Sequence, residues 1–175
     1  LGNDMESLYA EIKQSNRTIV AFLKEKGITE SEISINAPEI IDMKAERYSD
    51  TSNMQFRYNV TTVITVTSSK VDLVRSLITE QGELLNRGIA ITSGDYRYNV
   101  NYAYTGLNKI KPQMIEEATK NARTAAEKFA KDSDSKLGKI RTAYQGQFSI
   151  EDRDANTPYL KKVRVVTSIE YLLED

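Results

Sequence analysis

Three stretches of the chain follow one grammar: an amphipathic helical pattern, a glycine, then an isoleucine that opens a strand pattern. The breaks are Lys26-Gly27-Ile28, Arg87-Gly88-Ile89 and Leu137-Gly138-Lys139-Ile140. Glycine enters the left-handed conformation that ends a helix more cheaply than any other residue. The punctuation therefore predicts a serial α+β chain of helix-to-strand units. Adjacent strands with short links favour antiparallel pairing, and the helices are expected on one face of the sheets. A chain of 175 residues suits one domain over 1–175, or two pseudo-repeated halves, 1–87 and 88–175. The first and last units share the layout helix, glycine, strand, strand, although their residues match poorly.

The first helix is expected from Asp4 to Lys26, with Asn3 and Glu6 as a capping box. Its apolar face is Met5, Leu8, Ile12, Ile19, Phe22 and Leu23, at three- and four-residue spacing. A strand follows over Ile33 to Ile41, and Pro38 marks an edge or a break near a bulge. Residues 42–53 are polar and irregular and suggest a loop. Phe56 to Val66 alternates apolar and polar residues and is the clearest strand pattern in the chain.

A second helix is expected from Ser69, an N-cap with Asp72 in the first turn. Val71, Val74, Leu77, Ile78 and Leu85 form its apolar face, and Gly88 ends it. Ile89 to Ile91 opens a strand before the turn signal Ser93-Gly94-Asp95. Pro112 is placed in the first turn of a third helix, which runs to Asp132. Its inner face is small: Ile115, Ala118, Ala122, Ala125 and Ala126, then Phe129. Strands follow over Ile140 to Ile150 and Leu160 to Leu173, joined by a loop from Glu151 to Pro158.

The chemistry is bounded by what is missing. The chain has no histidine and no cysteine. Ser-His-Asp and Cys-His catalysis, disulfides, and thiolate or imidazole zinc sites are therefore impossible. The glycines stand singly, so no loop cradles a phosphate. The net charge is −1 and the basic residues are spread along the chain. A nucleic-acid partner calls instead for a basic stripe. No apolar run approaches ~18 residues, so no segment is expected to span a membrane as a helix.

The run Glu117-Ala118, Asn121-Ala122-Arg123 and Ala125-Ala126-Glu127-Lys128-Phe129-Ala130 resembles the alanine-rich helix of the SIMPL-domain family. So does the strand and helix pair Arg57-Tyr58-Asn59-Val60-Thr61-Thr62-Val63 and Val71-Asp72-Leu73-Val74. The closing Val163-Arg164-Val165-Val166-Thr167-Ser168-Ile169 fits the family's last strand. The similarity covers nearly the whole chain and rests on patterns of common residues.

The resemblance implies an exported bacterial envelope protein, periplasmic or envelope-associated. Some members are tied to oxidative-stress defence or known as immunogenic antigens, and some look like rings or channels. It therefore implies a homo-oligomer or an envelope protein partner. No catalytic residues are established for the family. Members usually carry an export signal and a strand ahead of the first helix, and neither is seen before Leu1, which suggests a processing or cloning boundary. A glycine often follows the alanine-rich helix; here Asp132-Ser133-Asp134-Ser135 stands in its place.

Three groups of residues stand out as candidate sites. Asp152, Asp154 and Asn156 have the opening spacing of a calcium loop, but Thr157 replaces the required glycine and Val163 the closing glutamate. Asp132 and Asp134 with Ser133 and Ser135 suggest a loop after a helix. Tyr96, Tyr98, Tyr102 and Tyr104 share one face of a predicted strand and suit a protein interface or a stacking surface, or simply cover a sheet; Arg97 is expected on the opposite face. No catalytic, cofactor-binding or metal-ligating residue is assigned, and no cofactor is implied. The expected function is a non-catalytic, exported envelope protein acting by assembly or interaction. The alternative is a small-ligand binder or carboxylate-based enzyme with a cleft between sheet and helices.

Overall fold

A computed structural model describes residues 1–45, 54–91 and 99–175. The fold is α+β, with antiparallel strand pairs, and divides into two compact units, Leu1–Tyr96 and Arg97–Asp175.

In the first unit, α1 spans Met5–Glu25. Its N-cap is Asp4, whose carboxylate accepts from the Ser7 amide at 2.8 Å. Asn3, expected in that role, is used elsewhere: its side chain donates to the Gln55 carbonyl and accepts from the Arg57 amide, at 3.0 and 2.9 Å. Gly2 exchanges both backbone hydrogen bonds with Tyr58, at 3.1 and 2.9 Å. The helix ends as its sequence dictates. Gly27 takes φ +97°, its amide donates to the Lys24 carbonyl, and the Ile28 amide reaches back to the Leu23 carbonyl. That pair of bonds is a Schellman motif, which satisfies the last carbonyls of the helix. Its apolar partners, Leu23 and Ile28, both enter the core.

The long strand patterns are broken into pairs. β1 (Ile33–Ile35) pairs with β4 (Ile64–Val66), and β2 (Glu39–Asp42) pairs with β3 (Tyr58–Thr61), all antiparallel. The break at Asn36–Pro38 is the one Pro38 foreshadows: a proline has no amide for the ladder. Opposite it, Thr62 and Val63 leave the strand, so the single strand expected over Phe56 to Val66 becomes two. The register shifts by one residue across the break, from Ile35↔Ile64 to Glu39↔Thr61. Of the expected loop 42–53, Asp42 belongs to β2, and residues 46–53 lie outside the described residues.

The single second helix expected from Ser69 is two: α2 (Val71–Glu80) and α3 (Gly82–Asn86). Lys70, not Ser69, holds the N-cap position, without a side-chain cap. Gly88 behaves as predicted, with φ +77° and the Ile89 amide donating to the Leu84 carbonyl at 2.9 Å. Ile89 does not open a strand. It is buried, and Leu84 rather than the exposed Leu85 joins it. Phe22, Leu23, Ile28, Leu77, Leu84 and Ile89 form the core, with Ile33, Ile64, Val66 and Leu73 packed against it. Phe22, 1% exposed, is covered by two cations, Lys26 and Arg87, at 5.4 and 5.2 Å from its ring centre. Lys26 is held by Glu80 and Glu83, and Arg87 by Glu25, at 2.6, 2.9 and 2.7 Å.

The second unit repeats the plan of a helix followed by a broken antiparallel hairpin. α4 spans Leu107–Asp132, then β5 (Lys136–Gln145) pairs with β8 (Thr167–Glu174), and β6 (Ser149–Asp152) with β7 (Lys161–Arg164). The helix begins earlier than expected, so Pro112 lies in its second turn. Leu107 and Ile110, both half-buried, extend the inner face back past the proline. That face continues through Ile115, Ala118, Ala122 and Ala126 to the buried Ala130; Ala125 and Phe129, expected on it, are exposed. α4 packs on β8 and β5. Along β8, Thr167, Ile169 and Tyr171 are half-buried and alternate with exposed Ser168, Glu170 and Leu172, the period of a sheet covered on one side.

Gly138 is not a helix stop; it lies inside β5. A Cβ there would come within 2.7 Å of Glu174 Oε1 and 3.0 Å of the Leu172 carbonyl, at a register shift between β5 and β8. Its glycine serves close strand approach. The helix is ended instead by Asp134, the one non-glycine residue with positive φ among the described residues, at +52°. Asp134 donates to the Lys131 carbonyl and Ser135 to the Ala130 carbonyl, at 3.2 and 2.9 Å, another Schellman motif. Aspartate tolerates this conformation better than most residues.

Candidate functional site

One face of α1 is used by the core, through Leu8, Phe22 and Leu23. A second face lines an open trough of about 590 Å³ in the first unit. The helical spacing of Ile12, Asn16, Val20 and Lys24 places them along it, one turn after another. Ile35, Asn36 and Pro38 form the opposite wall, where the β1–β2 strand is broken. Proline thus interrupts the pairing where the chain runs beside the helix.

The trough is apolar below and cationic at the rim. Lys13, Arg17 and Lys24 line it, and no carboxylate does. Lys24 is neutralised by Glu30 at 2.7 Å. The Lys13 and Arg17 side chains are exposed and make no ion pair or hydrogen bond among the described residues. The Asn16 side-chain oxygen is buried and accepts no hydrogen bond, the single such atom among the described residues. The trough's chemistry suits binding an anion. Sequence reasoning missed this face, because only the face of α1 with the most apolar residues was counted. A signal was present: Tyr9, Lys13, Arg17, Val20 and Lys24 also recur at three- and four-residue spacing.

The residues singled out from sequence are placed as follows. Tyr96, Arg97 and Tyr98 lie outside the described residues. Tyr102 and Tyr104 are half-buried in an irregular segment, not a strand. Tyr102 packs edge-on against Tyr159, with ring centres 6.0 Å apart, and Tyr104 fills the space beside Gly106. These two rings are therefore partly committed to packing.

The acidic loop is committed as well. Asp154 accepts from the amides of Asn156 and Thr157, at 3.0 and 2.9 Å, from the Thr157 hydroxyl, and from Arg153. The Thr157 hydroxyl and then Arg153 hold its carboxyl at about 2. Asp152 pairs with Lys161 across β6 and β7. Asp134 is spent on the helix end, next to Asp132, the last residue of α4. No group of three or more metal-ligating side chains converges among the described residues.

The strongest electrostatic knot is structural. Glu32 Oε1 accepts from the Ser68 hydroxyl at 2.5 Å; Oε2 accepts from the Thr29 amide and hydroxyl and from Lys70. Ser68 foremost, then Thr29, holds this carboxyl at about 2. Lys70 also donates to the Gly27 carbonyl at 2.9 Å, so the knot ties the end of α1 to the strands and to the start of α2. Every described carboxyl group with a shifted pKa is shifted down, Asp42 by Arg57, Glu25 by Arg87 and Glu80 by Lys26 among them.

No helix among the described residues is long and apolar enough to cross a membrane. Comparison with curated proteins gives no match. Residues 1–169 match the SIMPL family, described as a protein of unknown function (DUF541). With all but its last six residues inside that match, the chain, α+β in architecture, belongs to the SIMPL family.

Proposed function

We propose that this protein is a non-catalytic, exported component of the cell envelope that works by self-association or by holding a protein partner, in the service of stress defence. The observation that carries the interaction reading is the unfinished core of the second unit. Its one fully buried apolar residue among those described is Ala130, while Phe129 and Tyr144 are 73% and 68% exposed. Large exposed aromatics of this kind are enriched at interfaces. The non-catalytic reading is supported by the carboxylates: a general acid at neutral pH needs its pKa raised, and the shifts here run downward. Export and the stress role rest on the family resemblance.

Light scattering across a concentration series tests the interaction. The expected result is a species larger than one chain, weakened in a Phe129→Ser, Tyr144→Ser double variant. An interface of standard size buries roughly 800 Å² per partner. A strictly monomeric mass at the highest concentration defeats self-association and leaves only a separate partner to be sought.

A further inference from the structure

The trough along α1 holds two cations that the fold does not use. Lys13 and Arg17 stand one turn apart on its rim and meet no carboxylate among the described residues, whereas Lys24 on the same rim is answered by Glu30. Beside them, Ile12 and Val20 on the helix and the exposed Ile35 on the opposite wall offer apolar surface. Tyr9, 59% exposed, lines the same trough and offers a ring face. Asn16 lines it too, with its side-chain oxygen lacking a donor. Small-molecule sites share this build: mostly apolar walls, a few placed polar groups, and a volume of roughly 300–1,000 Å³. The trough, at about 590 Å³, falls within it.

We propose that this trough binds a small aromatic carboxylate bearing an N–H or O–H donor. The carboxylate lies between Lys13 and Arg17, where a guanidinium and an ammonium supply charge-assisted hydrogen bonds. The ring lies on Ile12 and Val20 and against Tyr9. The Asn16 amide turns to accept from the ligand's donor, which relieves the unpartnered oxygen of the free protein. The charges of Lys13 and Arg17, beside a lining that holds no carboxylate, select an anion over a neutral or cationic ring of the same size.

Indole-3-acetate is the probe. The chain has no tryptophan, so indole emission reports the ligand alone. Its fluorescence anisotropy should rise saturably with the full chain and should not rise for tryptamine, the cationic amine with the same ring. Lys13→Gln with Arg17→Gln should weaken binding at least about tenfold, the loss of two charge-assisted bonds. Both side chains are exposed, so circular dichroism and melting should be unchanged. Naphthalene-1-acetate lacks the N–H; it should bind the native chain more weakly than indole-3-acetate, and Asn16→Ala should erase that difference. No saturable binding, equal binding of tryptamine, or an unchanged affinity in the double variant overturns the site. An intact oligomer that binds no probe, or a monomer that binds it, separates this site from the assembly proposed above.

Discussion

The two units answer the same local problem and differ in what they build on the answer. Each has a long helix, a Schellman motif, and an antiparallel hairpin broken into two strand pairs. In the first, the residue after the left-handed position is Ile28, and it reaches Leu23 in the core. The later Gly88-Ile89 break does the same with Leu84. In the second, the corresponding residue is Ser135, which reaches back to Ala130. The backbone bonds are equally satisfied in all three cases. Among the described residues, only the first unit adds helices, α2 and α3, whose Leu77 and Leu84 join Phe22 in the core. Backbone grammar ends a helix; apolar volume on both sides of the end makes a core.

That contrast can be broken by mutation. The largest effect is expected at Phe22. Phe22→Ala leaves a cavity under Lys26 and Arg87 and should cost ~3–5 kcal/mol in denaturant melts. A change below ~1 kcal/mol would mean that the core is held elsewhere. Next is overpacking of α4. Ala130, 2% exposed, has no room for a larger side chain, and Ala130→Leu should cost ~1–3 kcal/mol. An unchanged midpoint would show that the helix stands off its sheet.

The helix ends should respond by smaller amounts and in opposite directions. Gly88→Ala places a Cβ at φ +77°, and although the space around it is open, the strain should cost ~1–2 kcal/mol. Asp134→Gly removes the same kind of strain and should stabilise by up to ~1 kcal/mol. Equal signs for the two would show that backbone conformation is not what these positions select.

The least effect is expected from acid. Glu32 has its folded pKa lowered from 4.5 to about 2, so its contribution is fully present above 4.5 and is lost as pH falls through about 2. Glu32→Gln should therefore melt below the native chain at neutral pH, with the gap narrowing between pH 4.5 and 2. A gap that stays constant across that window would mean the Glu32 charge contributes nothing.

Much of the plan was legible in the chain. Gly27 and Gly88 take positive φ, Pro38 breaks its strand, and the long helices and the strand pairs that follow α1 and α4 stand where the periodicity puts them, while the strand expected at Ile89 does not form over 89–91. These features depend on neighbours a few residues away, where steric rules act directly. Gly138 misled for a physical reason: a glycine that ends a helix and a glycine that lets two strands approach look alike in one dimension. Asp134 was hidden because aspartate seldom takes that role. The trough was illegible for another reason, since its far wall comes from Ile35, Asn36 and Pro38, and only the packing of the strands beside α1 brings that wall to the helix.

The sequence by itself determined the α+β class, the family, and two of the three helix stops, because sterics and periodicity are local. Tertiary structure decided that a second face of α1 lines a trough, which leucine is buried at 84 and 85, and whether Phe129 meets the sheet or the solvent. A helix with apolar residues on more than one side has no preferred inner face until other elements pack on it. Burial is a property of the whole assembly of elements, and no single stretch of chain contains it.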